Sequence, residues 1–218
     1  MHRKEINDKV KLVIFGATGG TGRQLVAQAL EAGHSVTALV RVPDRLNMQH
    51  PDLTVVQGNV LNASAVLAAV FGKDAVISAL GSRARGLPDL IQGTRNILTA
   101  MHDGEVRRSL WVSSFGVGKS LHQMSWLARY VIVKGFLRAA IEEKEIQEQL
   151  IRASAGEWTI VRPGGLTDGP RTGVYRVIPE DATGQIGRPQ LARADGAEFI
   201  VRALAEGTYI RQSVGLSY

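Results

Sequence analysis

A single doubly wound α/β domain on a mostly parallel sheet is the architecture that this 218-residue chain predicts. Three observations carry the prediction. Short apolar runs alternate with helical patterns along the chain, the signature of repeated βαβ units. A glycine-rich turn, Gly16-Ala17-Thr18-Gly19-Gly20-Thr21-Gly22, stands directly between the first apolar run and the first helical pattern. The length suits one domain with a buried core, and 44% of the residues are apolar.

The elements follow in order. Val10 to Phe15 is a continuous apolar run interrupted only by Lys11, and reads as a buried first strand. The helix expected from Gly20 to Ala32 carries Leu25, Val26, Ala29 and Leu30 on one face, and Gly33 ends it. Val36–Val40 and Leu53–Gln57 are strands two and three; Ala63–Phe71 is helical; Asp74–Leu80 is strand four. Residues from Pro88 to His102 are helical and Ser109–Ser113 is strand five. Leu121–Ser154 reads as a long helical stretch, in two pieces around Gly135. Trp158–Val161 is strand six, stopped by Pro163-Gly164-Gly165, and a loop-rich stretch follows. The helix Ala192–Ala205 and a short tail strand complete the pattern.

Composition narrows the chemistry. The absence of cysteine removes disulfide scaffolds, iron–sulfur clusters and thiol nucleophiles, and suits a cytoplasmic setting. No apolar run reaches the roughly 20 residues of a membrane span, and no signal-peptide core follows the basic start. The net charge is +6, but the basic residues are scattered, with adjacent pairs only at Arg3-Lys4 and Arg107-Arg108. That pattern predicts no nucleic-acid partner and a pull on small anionic ligands. The five histidines are dispersed and form no metal-ligand spacing.

The glycine turn is the sharpest signal. Its GxxGxxG spacing after a strand and before a helix lets backbone N–H groups approach a pyrophosphate at the positive end of the helix. Strand two, at whose end an acidic residue would hold the ribose hydroxyls of NAD, instead ends in Leu39-Val40-Arg41, with Arg45 four residues on. A guanidinium pairs bidentately with a 2′-phosphate, so the expected cofactor is NADP(H). Gly58-Asn59-Val60 would lie near the adenine, and Ser78-Ala79-Leu80-Gly81 would let the backbone pass beside the cofactor.

Together with Asp74-Ala75-Val76-Ile77, Gly93-Thr94-Arg95-Asn96-Ile97, Trp158-Thr159-Ile160-Val161-Arg162-Pro163 and Leu166–Gly173, these motifs resemble the atypical short-chain dehydrogenases/reductases, in particular the flavin reductase/biliverdin-IXβ reductase-like group. The resemblance runs over nearly the whole chain. It implies a Rossmann-type domain across residues 1–218, with NADPH bound and the substrate site in the loops after strands four to six. It implies cytoplasmic hydride transfer to a flavin, linear tetrapyrrole or similar small-molecule acceptor, by a monomer or homodimer. Its cofactor contacts fall on Thr18, Gly19, Thr21, Gly22, Arg41, Arg45, Asn59, Val60, Leu80, Gly81 and Ser114, beside Gly16 and Gly20 of the turn itself. Two positions depart from the family. Asn59 stands where an aspartate is usual, and Gly165 stands where the animal enzymes have a histidine near the substrate.

Candidate catalytic groups are few. Ser114, at the end of strand five, is positioned to hold the nicotinamide amide or the acceptor; Ser113 would face the other way. Tyr130 and Lys134 have the spacing of the ordinary short-chain reductase pair, but the resembling group does not rely on this pair, and an aromatic on a buried helix face accounts for Tyr130 better. Lys144 resembles a lysine kept in related reductases, and reads more simply as an exposed residue paired with Glu148 at i+4. Trp111 and Trp158 belong to the core, whereas Met124 and Trp126 fall where a planar apolar substrate wall would be. A delocalised acceptor needs stacking and orientation more than a protein acid, so this inventory suits reduction of a conjugated molecule. The alternatives are a non-catalytic NADP(H) sensor of the nitrogen-regulator-like type and, less well supported by the length, a sugar-nucleotide epimerase.

Overall fold

The computed structural model describes residues 9–81, 89–123, 138–183 and 189–218. Eight strands form one sheet in the order β3-β2-β1-β4-β5-β6-β10-β8. These are β1 (Lys11–Phe15), β2 (Ser35–Val40), β3 (Leu53–Gln57), β4 (Ala75–Ser78), β5 (Arg108–Val112), β6 (Glu157–Pro163), β8 (Arg176–Pro179) and β10 (Gln212–Ser217). Every neighbouring pair is parallel except β10–β8. A separate parallel pair joins β7 (Gly165–Thr167) to β9 (Gln190–Ala192). The described helices are α1 (Gly20–Glu31), α2 (Ala63–Val70), α3 (Asp89–Asp103), α4 (Arg138–Ala153) and α5 (Arg193–Ala205). This is a Rossmann-type doubly wound domain, as the alternating pattern predicts.

The alternation of side chains along β1 divides the core in two. Leu12 and Ile14 point to the face covered by α1 and α5, where they meet Leu25, Ala29, Phe199 and Ile200. Val13 and Phe15 point to the opposite face and meet Val66, Val70, Ile97, Trp111, Ile151 and Trp158, carried by or beside α2, α3 and α4. Each fully buried aliphatic or aromatic residue of this kind contributes about 1.5–3 kcal/mol. Both strand tryptophans are core, as expected, and Trp111 Nε1 donates to Ser109 Oγ at 2.9 Å.

The structure departs from the sequence pattern after β5. Leu121 lies in a 3₁₀ turn spanning Gly118–Gln123 rather than in an α-helix, and the later part of the stretch is α4. The Gly135 break, with Met124, Trp126, Tyr130 and Lys134, lies outside the described residues. β6 runs two residues beyond Val161, through Pro163. A proline lacks only the N–H; the Pro163 carbonyl still accepts from Phe115 N at 2.9 Å. The loop-rich stretch after β6 contains β7 and β8 and leads into β9. The tail strand is an inner strand, pairing with β6 on one side and β8 on the other. Among the described residues no helix is long and apolar enough to cross a membrane, and no cluster of His, Asp or Glu could hold a metal ion.

Candidate functional site

The glycine turn is built by close approach. Gly16 has φ +80°, and a Cβ there would stand 2.6 Å from Ala79 O, because the turn crosses the end of β4. Gly19 N donates to Gly16 O at 3.0 Å and closes the turn. A Cβ on Gly22 would stand 2.0 Å from Gly16 O, so α1 sits directly on the turn that precedes it. Helix α1 has no side-chain cap and no acidic residue in its first turn. Its first N–H groups and positive end are therefore uncompensated by a side chain, the arrangement that favours an anion.

Arg23 makes this turn rigid, a role no sequence signal announces. Its Nε donates to Thr18 O at 3.3 Å, its Nη1 to Leu46 O at 2.8 Å and its Nη2 to Arg45 O. One side chain thus joins the glycine turn to the 3₁₀ turn Pro43–Arg45 beyond β2.

A cleft opens over the carboxyl ends of β1 to β4, with about 770 Å³ of empty space including its open mouth. Gly16 and Thr18 form one wall and Arg41, exposed at the end of β2, stands at another. Asn59, Val60, Leu80 and Gly81 complete it, joined by Asp89 at the start of α3. Gly19, Gly20, Thr21 and Gly22 form the start of α1 beside this cleft, outside its lining, and exposed Arg45 is also outside it. Asn59 spends its side-chain oxygen locally, accepting from Leu61 N at 3.1 Å. Val60 is fixed by α3, where Asn96 Nδ2 donates to its carbonyl at 2.8 Å.

Beyond β5 the two adjacent serines separate as expected. Ser113 is buried and its Oγ donates to Glu148 Oε1 at 2.6 Å. Ser114 is half-buried, two residues past the end of β5, with its Oγ 3.3 Å from Phe115 O. It does not line the cleft described above.

Lys144 contradicts the simple reading of its helix. It is 7% exposed, and its Nζ donates to Leu80 O at 2.8 Å, Val112 O at 2.8 Å and Gln147 Oε1 at 2.9 Å. Burial pushes its pKa down to about 8, against the opposing pull of Glu148 and Glu143. Glu148 instead grips Arg162 of β6, with Nε–Oε1 2.9 Å and Nη2–Oε2 2.6 Å. The i+4 spacing identified two residues on one side of α4; it could not show that this side faces the sheet.

Solved structures share this architecture, one of them with NADP bound. An anaerobilin reductase from Escherichia coli O157:H7 superposes with a TM-score of 0.80 and 26% identity, covering 95% of this chain and 96% of that one. A short-chain dehydrogenase/reductase from Veillonella parvula, solved with NADP, superposes with a TM-score of 0.81 at 22% identity, covering 97% of this chain and 95% of its own. An uncharacterised chloroplast protein of Arabidopsis thaliana is 32% identical over 208 residues, covering 90% of this chain and 72% of its own. A 3-beta-hydroxysteroid dehydrogenase of Mycolicibacterium neoaurum is 32% identical over 179 residues, but this chain matches only 48% of its length. The family model described as NAD(P)H-binding matches residues 16–207, from the first glycine of the turn to two residues past α5. The close-packed glycine turn and the uncapped helix behind it suit a dinucleotide's phosphates, and the chain belongs to this NAD(P)H-binding family.

Proposed function

We propose that the protein is an NADPH-dependent oxidoreductase that reduces a flavin, a linear tetrapyrrole or a similar conjugated small molecule. The observation that carries the proposal is the cleft over β1 to β4, in which a glycine turn at an uncapped helix end is followed, at the end of β2, by Arg41 rather than an acid. Gly16, Thr18, Gly19, Gly20, Thr21 and Gly22 would hold the pyrophosphate through backbone N–H groups. Arg41 would take the 2′-phosphate, with Arg45 nearby on a turn that Arg23 fixes to the glycines. Asn59 and Val60 would border the adenine, and Leu80, Gly81 and Ser114 the nicotinamide. NADPH, when bound, supplies the hydride.

The residues past β4 and β5 then position the acceptor. Lys144 holds the Leu80 and Val112 carbonyls to one ammonium, which fixes the ends of the two strands against each other. Ser114 would supply the hydroxyl that donates to an acceptor as negative charge builds on it. A conjugated acceptor spreads that charge over its own rings, so orientation by these groups contributes more than a strong protein acid. Similarity over nearly the full length to an anaerobilin reductase supports this class of acceptor.

The test is to follow NADPH oxidation against a panel of flavins, bilins and quinones. Turnover with one of these classes and little with simple aldehydes or ketones is the expected result. Tight NADPH binding with no oxidation by any acceptor would replace the enzyme reading with that of a nucleotide sensor.

A further inference from the structure

The first residue of α5, Arg193, lies flat across the start of α1. A Cβ on Gly20 would stand 2.7 Å from Arg193 Cδ and 2.8 Å from its Nε, so the guanidinium stem occupies the space a side chain at Gly20 would need. The backbone beside Arg193 is anchored there, because Gln28 of α1 donates from Nε2 to Ala194 O at 2.9 Å.

This placement runs against the local electrostatics. The N-terminus of a helix carries partial positive charge and favours acids, not arginine. Helix α5 meets that preference with Asp195, fully buried in its first turn and accepting from Thr172 N and Gly173 N at 2.7 and 2.8 Å. Helix α1 has no acid in its first turn, and receives the side of Arg193 instead. The counter-ion of Arg193 is Asp168, with Nη1–Oδ1 2.6 Å, and the Asp168 side chain is 89% exposed. An ion pair so open to water is worth at most about 1 kcal/mol, so little opposes its exchange for a better anion.

We propose that Arg193 is a cofactor-binding residue, which exchanges Asp168 for the pyrophosphate of the bound dinucleotide and closes on it from the flank of the glycine turn at Gly20. The inference rests on the pyrophosphate lying over that turn, as proposed above. It adds a residue some 170 positions away in sequence, from a helix that follows the last of the proposed nucleotide contacts.

Binding can be measured without turnover, by titrating the protein with NADPH, NADH and 2′-AMP, which carries the 2′-phosphate but no pyrophosphate. Arg193→Gln should weaken NADPH and NADH by the same factor, roughly tenfold, and leave 2′-AMP unchanged. Arg193→Lys should recover part of the loss. Gly20→Ala should weaken NADPH in the unmutated background and add little to Arg193→Gln, since both displace the same side chain. Thermal unfolding of the ligand-free variants controls for folding. NADPH affinity within twofold of the unmutated protein for a folded Arg193→Gln would overturn the proposal. So would a loss confined to NADPH, which would place Arg193 on the 2′-phosphate. If the unmutated protein bound NADPH no better than 2′-AMP, the fault would lie with the assignment of the glycine turn itself.

Discussion

Lys144 Nζ and the Leu80 carbonyl oxygen are 2.8 Å apart, and Leu80 is also a wall of the nucleotide cleft. A buried cation of α4 thereby holds the strand end against which the cofactor would lie. All three ammonium protons have acceptors, on β4's exit, β5's last residue and Gln147.

That burial gives stability a pH dependence whose sign follows from linkage. The native pKa of Lys144 is lowered to about 8, from 10.5. Between these values the unfolded chain holds a proton that the native chain has released, so stability rises with pH across that window. Below pH 8 both states are charged and the cost of burying the ammonium is fully present. Urea unfolding from pH 7 to pH 10.5 should show the unmutated protein gaining up to roughly 3 kcal/mol relative to Lys144→Met, whose baseline is lower but flatter. Parallel profiles for the two proteins would show that the ammonium does not titrate there.

Arg41 should set the choice of nucleotide. Equilibrium titration should give NADPH at least about tenfold tighter binding than NADH, the worth of one good ionic contact. Arg41→Asp should erase or invert that ratio while leaving NADH binding intact. Equal affinities in the unmutated protein would remove Arg41 from the site.

The glycines of the turn should separate by steric cost. Gly22→Ala drives a Cβ into Gly16 O at 2.0 Å and Gly16 C at 2.7 Å, all backbone that cannot swing aside. We expect a loss of at least about 3 kcal/mol in stability, the upper range for overpacking, together with loss of NADPH binding. Gly19→Ala meets only Gly16 O, at 3.4 Å, and should cost far less by the same unfolding measurement.

Ser114→Ala should lower turnover more than Tyr130→Phe, provided an acceptor is found and both variants fold. A positioned hydrogen bond that strengthens in the transition state is worth ~10²–10³ in rate. If instead Tyr130→Phe abolished turnover and Ser114→Ala did not, the proton-donating tyrosine of ordinary short-chain reductases would be restored, and simple carbonyls would become the expected substrates.

What the sequence discloses here is what local pattern controls. Leu53–Gln57 is the strand the pattern predicts to the residue, and the start of α1 at Gly20 follows from the glycine turn. The cleft residues Thr18, Arg41, Asn59, Val60, Leu80 and Gly81 are legible because each ends or follows a parallel strand, and those ends converge by topology. Lys144 is misread because its backbone acceptors lie just past β4 and at the end of β5, 64 and 32 residues away. Arg23 and Arg193 are invisible for a related reason. An arginine is ordinary in any surface helix, and only the fold shows one tying two turns together and the other lying over Gly20. The short strands β7, β8 and β9 are hidden among glycines and prolines, since three or four residues carry too little alternation to be seen.

The inner position of β10 also imposes an order on synthesis. Strands β1 to β6 can assemble as they leave the ribosome, since each later one adds at an edge or beside a neighbour already made. The free edge of β6 must then wait about 50 residues for Gln212–Ser217, its permanent partner. Until those six residues emerge, the nascent sheet exposes a strand that is almost wholly buried in the finished molecule, the kind of edge on which another chain can build. A message broken just before that point would yield a product that keeps its nucleotide-binding half and has lost its protection against self-association.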